Sequence, residues 1–523
     1  MAVVRRLGLI LFGFAIATLV AALSHVPLAA AAEPLDAYEA QAQPSLRDSL
    51  YDLDDITEDD GDEPSPAGDS LSSPGDLELM DGAAPRLSAD GVIELAEPEP
   101  PEDGADPTRD TRPAADLDVF RNPPAGYDPL LFEIEDIVPA KTDRRPARLA
   151  RFEPYDPIGI RIGSFVFFPE VEIGGLWTDN VLSTPDAHAD IAAEIRTTAR
   201  LVSNWSRHAL ELRGTSFSTF YDDFASEDDR AWGVEARGRI DITRRTNLQA
   251  IARHDVSQES RTAIDASQTG DRANVTLDRA ETALNHRFNR LSVQLRGAVS
   301  DVRYSETDGM SNADRDTLET TEAVRAAWEF KPTLAVFAEQ ELNQRDKRAL
   351  PWDGIPRDSR GTRTRVGLDF GATGAVLRGT ISAGYGRQRP DDHRLSDVEA
   401  FLLDANLAWR PSEITSFLFT AESDIYETTE VESGGVVSHM IGLEARHAFR
   451  RHLIGSAGLA YTHYDYDATP FTERQWLSFL ALEYYASPAL VLFARYQNLD
   501  VAANGLDGDY NVNEVRVGAR LRR

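Results

Sequence analysis

The chain has 523 residues, no cysteine and a formal net charge of −33. The lack of cysteine excludes disulfides, thiolate metal sites, cysteine nucleophiles and a lipobox anchor. The charge disfavours a basic nucleic-acid-binding surface, so no nucleic acid is expected as a partner.

Residues 1–32 read as a secretory signal peptide. Arg5 and Arg6 supply the positive start, Leu7 to Leu23 the apolar stretch, and Ala30 and Ala32 an A-x-A cleavage pattern. A retained anchor helix is the competing reading, because about 17 apolar residues is the lower edge for spanning a bilayer. No later stretch is long and apolar enough for a membrane helix.

Residues 33–118 hold 26 acidic and four basic side chains. Runs such as Glu58-Asp59-Asp60-Gly61-Asp62-Glu63-Pro64 cannot bury enough apolar surface to offset chain entropy, so a disordered acidic periplasmic segment is expected. Residues 119–163 read as a periplasmic linker. In it Tyr127-Asp128-Pro129-Leu130 recurs as Tyr155-Asp156-Pro157-Ile158, around an arginine-rich stretch from Arg144 to Arg151.

From 164 to 523 the texture changes. Side chains alternate over ten or more residues, as in Trp232, Val234, Ala236, Gly238, Ile240 and Ile242 against Gly233, Glu235, Arg237, Arg239 and Asp241. That is the period of a two-faced strand. Strands in soluble sheets average about five or six residues, whereas spans of nine to eleven fit a membrane barrel. Short turns at 204–207, 244–246, 288–290, 331–333, 372–374, 410–413, 449–451 and 486–488 alternate with nine longer polar loops. Seventeen connections join eighteen strands, so an all-β, antiparallel up-and-down transmembrane barrel of about 18 strands is expected. Sixteen is the alternative, because the pair around Asp278–Val302 alternates less cleanly. Short turns belong to the periplasmic side of such barrels. Aromatic residues near both strand ends suit two interfacial belts, with Phe288, Phe330, Trp409, Phe449 and Tyr485 beside short turns and Trp177, Tyr304, Tyr385, Tyr426 and Trp476 near long loops.

Placing the apolar stripes on lipid leaves the charged stripes in the lumen. The candidate lumen cations are Arg196, Arg200, Arg213, Arg237, Arg239, Arg253, Arg296, Arg325, Arg363, Arg365, Arg378, Arg410, Arg495, Arg516 and Arg520. The candidate acids are Glu194, Glu211, Glu235, Glu339, Glu341, Asp369, Asp404, Glu444 and Glu483. Such a set can form structural arginine–carboxylate ladders, or a field that selects anionic solutes or guides an acidic polysaccharide. No G-x-S-x-G elbow, H-E-x-x-H pattern or phosphate-cradling loop occurs. Enzymatic activity, cofactors and metals are therefore not expected. The 507–513 stretch has alternating oxygen ligands but lacks the glycine and glutamate of a calcium loop.

The segment YDPIGIRIGSFVFFPEVEIGGLWTDNVLST, from Tyr155 to Thr184, resembles the start of the putative beta-barrel porin 2 family. The matching residues are Pro157, Gly159, Arg161, Gly163, Phe165, Pro169, Trp177, Asp179 and Asn180. The resemblance implies an outer-membrane barrel in a family associated with exopolysaccharide production or export, and it brings no catalytic residues. Its implied partners are outer-membrane lipid and lipopolysaccharide, the barrel-insertion machinery and periplasmic polysaccharide-export proteins. Porin-like passage of solutes or exopolysaccharide is the expected function; a structural component of an export complex is the alternative, and a barrel hydrolase the remote one. One departure stands out: the last strand stops at Arg522 and Arg523 where such barrels commonly carry an aromatic residue.

Overall fold

The computed structural model describes residues 86–87, 93–94, 155 and 157–523, with short breaks at 206, 262, 264–269, 308, 332–333, 352, 371–375, 413, 430–432 and 505–507. The expected signal peptide and nearly all of the acidic segment and linker lie outside the described residues. Within them, Arg86–Leu87 pairs with Ile93–Glu94 in a separate two-stranded ladder.

Eighteen antiparallel strands make the barrel: β1 Phe165–Thr178, β2 Asp190–Ser203, β3 Ala209–Tyr221, β4 Asp229–Thr243, β5 Thr246–Gln258, β6 Asn274–Arg287, β7 Leu291–Tyr304, β8 Thr317–Lys331, β9 Leu334–Lys347, β10 Ser359–Phe370, β11 Leu377–Pro390, β12 Val398–Ser412, β13 Thr415–Tyr426, β14 Val436–Arg450, β15 Leu453–Tyr466, β16 Thr472–Ser487, β17 Leu490–Ala503 and β18 Tyr510–Arg522. Each pairs with its sequence neighbour, and β18 closes on β1 from Glu514↔Thr178 to Arg522↔Glu170. The weakly alternating pair β6 and β7 is fully formed, from Ser292↔Arg287 to Tyr304↔Val275. This settles eighteen strands over sixteen.

Closure gives every strand two neighbours, so most of the backbone is satisfied within the wall. The alternation then sorts the side chains. Apolar residues such as Ile173, Val234, Leu295, Val366, Leu443 and Leu480 are exposed, while their neighbours in sequence are buried or half-buried. Trp177, Tyr385 and Trp476 near one rim, and Phe288, Phe330, Trp409 and Phe449 near the other, belong to this exposed face. Tyr304, Tyr426 and Tyr485 do not: all three are buried. Parity explains the difference for the last, since the exposed ring at that strand end is its neighbour Tyr484.

The motif residues around Tyr155–Thr184 are structural. A short strand, Ile160–Ile162, folds back on β1 in register Ile160↔Phe167 to Ile162↔Phe165, through a turn that begins at Gly163. Gly159 has φ +71, and a Cβ there would meet Val166 Cγ1 at 2.5 Å, so only glycine admits this approach. Arg161 Nε donates to Gly163 O (3.4 Å), Pro157 leads into the turn, and Phe165 meets Trp205 edge-on with centroids 5.4 Å apart. At the other end of β1, Asp179 Oδ1 accepts from Asn513 N–H at 2.7 Å, and Asp179 Oδ2 accepts from Asn513 Nδ2 at 2.7 Å. Buried Asn180 donates to Asn511 O at 3.0 Å and to Thr184 O at 2.8 Å. Aspartate and asparagine thus rivet the first strand to the last.

Candidate lumen-lining site

Most strands carry charge on their buried stripe; on β15 that stripe holds Ile454, Ala460, Thr462 and Tyr464 instead. Side chains two apart on a strand share a face, and among the described residues several such neighbours form ion pairs within one strand. Glu211–Arg213 (3.0 Å) lies on β3; Glu235–Arg237 (2.5 Å) and Arg239–Asp241 (2.9 Å) lie on β4. Arg253–Asp255 lies on β5, Arg279–Glu281 (2.6 Å) on β6, and Glu514–Arg516 (3.1 Å) on β18.

Other pairs cross between strands. Arg296 of β7 reaches Glu339 (3.7 Å) and Glu341 (3.0 Å) of β9, passing over β8. From β10, Arg363 meets Glu341 (3.4 Å), and Arg365 meets Glu339 (3.4 Å) and Asp404 of β12 (3.1 Å). Arg325 lies 3.8 Å from Asp369, Arg200 3.9 Å from Glu211, and Arg516 3.4 Å from Glu194. Arg520 of β18 joins Glu170 (3.4 Å) and Glu172 (2.9 Å) of β1 to Glu483 of β16 (3.0 Å).

Some contacts skip several strands. Arg363 of β10 pairs with Asp424 of β13, and Arg345 of β9 donates to Ile425 O of β13 at 3.0 Å. Side chains on the convex side of a closed sheet diverge, so contacts of this kind form only across its concave side. The buried charged stripe is therefore the inward one where these residues lie.

Aromatic rings support part of this stripe. The guanidinium of Arg196 lies 5.0 Å from the Phe217 centroid, Arg200 5.0 Å from Phe168, Arg325 3.8 Å from Phe337 and Arg495 4.5 Å from Phe479. Arg378 and Arg410 lie on adjacent strands near the short-turn rim.

A second group was not singled out in the sequence. Arg345 and Lys347 continue the Glu339–Glu341 parity towards the long-loop rim, and same-parity reading would have found them. Lys347 Nζ lies 2.8 Å from Glu427, Ser359 Oγ donates to Glu427 Oε1 at 2.9 Å, and Gln388 Nε2 donates to Ser359 Oγ at 2.7 Å. Burial alone would raise the Glu427 carboxyl; the Lys347 and Arg345 charges outweigh it and hold this loop residue below the usual carboxylate range. At the short-turn rim, Arg522 is buried and donates to Tyr155 O at 2.5 Å and to Pro488 O at 3.2 Å. Among the described residues no group of three histidine, cysteine or acidic side chains is placed to hold a metal ion.

The model of one protein family, described as putative beta-barrel porin 2, matches residues 153–523, which is the whole barrel. The chain belongs to the putative beta-barrel porin 2 family. This porin-family chain is accordingly an outer-membrane β-barrel. No curated protein matches it. Solved structures similar to it include three proteins of Pseudomonas aeruginosa: the outer membrane protein OpdK, OpdO and OpdQ. OpdK has 10% identity over 68% of this chain and 99% of its own, with a TM-score of 0.38. OpdO has 13% identity over 68% and 97%, with a TM-score of 0.36. OpdQ has 11% identity over 69% and 98%, with a TM-score of 0.37. The fold of this porin-family member rests on its own strand ladder.

Proposed function

We propose that the barrel is an outer-membrane channel for small polar solutes, with its short-turn rim and preceding segment in the periplasm. The observation that carries this reading is the continuous run of guanidinium–carboxylate pairs along the buried stripe from β3 to β10. A stripe of this chemistry offers fixed donors and acceptors to a solute shedding water. Eighteen strands give a barrel wide enough for an aqueous path unless plugged.

The ladders also refine the expected selectivity. Carboxylates absent from the first candidate set, among them Glu170, Glu172, Asp255, Glu281 and Asp424, bring the two signs close to balance. A balanced lining favours zwitterionic and hydroxyl-rich solutes, saccharides included, over strong anion selection. Current through single barrels in planar bilayers tests this. Discrete ohmic steps with weak ion preference are expected. Glu339→Gln with Glu341→Gln, which takes both carboxylates from Arg296 and one each from Arg363 and Arg365, should move the reversal potential towards that of chloride. A barrel that never conducts would favour the scaffold reading.

A further inference from the structure

The barrel wall between β12 and β13 is continuous only in its short-turn half. Pairing runs from Ser412↔Thr415 to Ala405↔Ala421 and stops. Yet β12 continues to Val398, paired with β11 as far as Gln388, and β13 continues to Tyr426, paired with β14 as far as Val436. Residues 423–428 are buried on both faces. Ile425 packs with Val398, Ala400 and Leu402, the buried stripe of β12, while Phe401 on the opposite stripe is 61% exposed. The long-loop half of β13 therefore lies inside β12 instead of beside it. There the sheet is a scroll with overlapping edges.

Separated strands leave backbone groups without a ladder, which a membrane wall cannot tolerate. Side chains take their place. In the register set by Ala405↔Ala421, Leu403 would face Ser423, and Phe401 would face Ile425. Instead Leu403 N–H donates to Ser423 Oγ at 3.1 Å, and Ser423 Oγ donates to Leu403 O at 3.2 Å. Ile425 N–H donates to Asp424 Oδ1 at 2.7 Å, and Ile425 O accepts from Arg345 Nη1 at 3.0 Å. Arg363 holds Asp424 from β10, and Lys347 and Ser359 hold Glu427. The polar partners that keep β13 inward come from β9 and β10, on the far side of the fold it makes.

We propose that the long-loop half of β13 is a movable strand that sets the width of the lumen. Latched to Arg345, Arg363 and Lys347 it narrows the passage. Released, it re-enters the wall beside residues 398–404 of β12 and widens it. Both arrangements satisfy the backbone of Ile425, so the wall has two discrete states in place of a continuum. The same residues thereby decide which solutes pass. This rests on the channel reading, but the strand movement has its own readout.

Cysteine pairs test it, because the chain contains no other cysteine. Leu402→Cys with Asp424→Cys places two thiols opposite each other only in the paired state. That site would be a non-hydrogen-bonded pair, with Cα atoms about 4.5 Å apart and within disulfide reach. Ser359→Cys with Glu427→Cys, joined by a short bis-thiol-reactive crosslinker, fixes the inward state. Both pairs should crosslink in the folded barrel. The first should raise single-channel conductance by about twofold over its reduced form, and the second should hold it at or below the uncrosslinked level. Asp424→Ser alone controls for loss of the carboxylate. Failure of the first pair to crosslink overturns the moving strand. Crosslinking of both with equal conductance overturns its control of width. Crosslinking of both in a barrel that never conducts supports the movement and removes the channel reading instead.

Discussion

Arg520 offers the sharpest test of the ladder's energetics. It sits on the last strand and contacts Glu170 and Glu172 of the first, and Glu483 of β16. Its side chain is 14% exposed, and those of the three carboxylates are 29%, 15% and 17% exposed. Replacing it with alanine leaves three acids facing one another, with Arg446 at 3.2 Å the remaining cation on Glu483. Removing one partner of a fully buried pair costs about 3–5 kcal/mol. Partial access to water places Arg520→Ala at the lower end, about 3 kcal/mol, or roughly a hundredfold in the unfolding equilibrium. Urea titration of the barrel folded in lipid vesicles measures this. Adding Glu172→Gln should recover part of the loss, because it removes one of the stranded charges; the double-mutant cycle isolates that coupling. A loss below about 1 kcal/mol, or no recovery with Glu172→Gln, refutes the view that this cluster fastens the closing seam.

Two further outcomes follow from the faces of the wall. Leu480, 61% exposed near the middle of β16, points to lipid, and Leu480→Arg should cost about 2–4 kcal/mol in the same titration. Gly379 has φ +106, and a Cβ there would lie 1.8 Å from Asn406 O. Gly379→Ala should therefore impair folding, read as loss of the heat-modifiable band on gels, whereas Gly214→Ala, with nothing within 4 Å, should fold normally.

The strand count and the two faces were legible in the sequence because both follow from a period of two. A charged stripe opposite an apolar one identifies itself even in a weak strand such as β7. What was not legible arises where a residue meets something that is not its sequence neighbour. The scroll is one case. Phe401-Leu402-Leu403 is apolar on both faces, which looks like ordinary strand composition; only the burial of Leu402 under Ile425 explains it. Tyr426 and Tyr485 are another. Their positions at strand ends suit a belt, but parity turns one into a cluster with Val436 and Tyr464, and the other against Tyr155 and Arg522. The carboxylates that balance the arginines are scattered over strands far apart in sequence. Only closure brings Glu172, Glu483 and Arg520 together.

The ion pairs within single strands bear on how such a wall is assembled. Glu235–Arg237 and Arg279–Glu281 need no neighbouring strand to meet. A strand carrying its own counter-charge can be desolvated as a nearly neutral unit, before the next hairpin arrives. The pairs between strands, such as Arg296 with Glu341, become available only after β8 and β9 have joined. Neutralisation in cis would thus lower the barrier for inserting each hairpin, and neutralisation in trans would reward the correct order of hairpins.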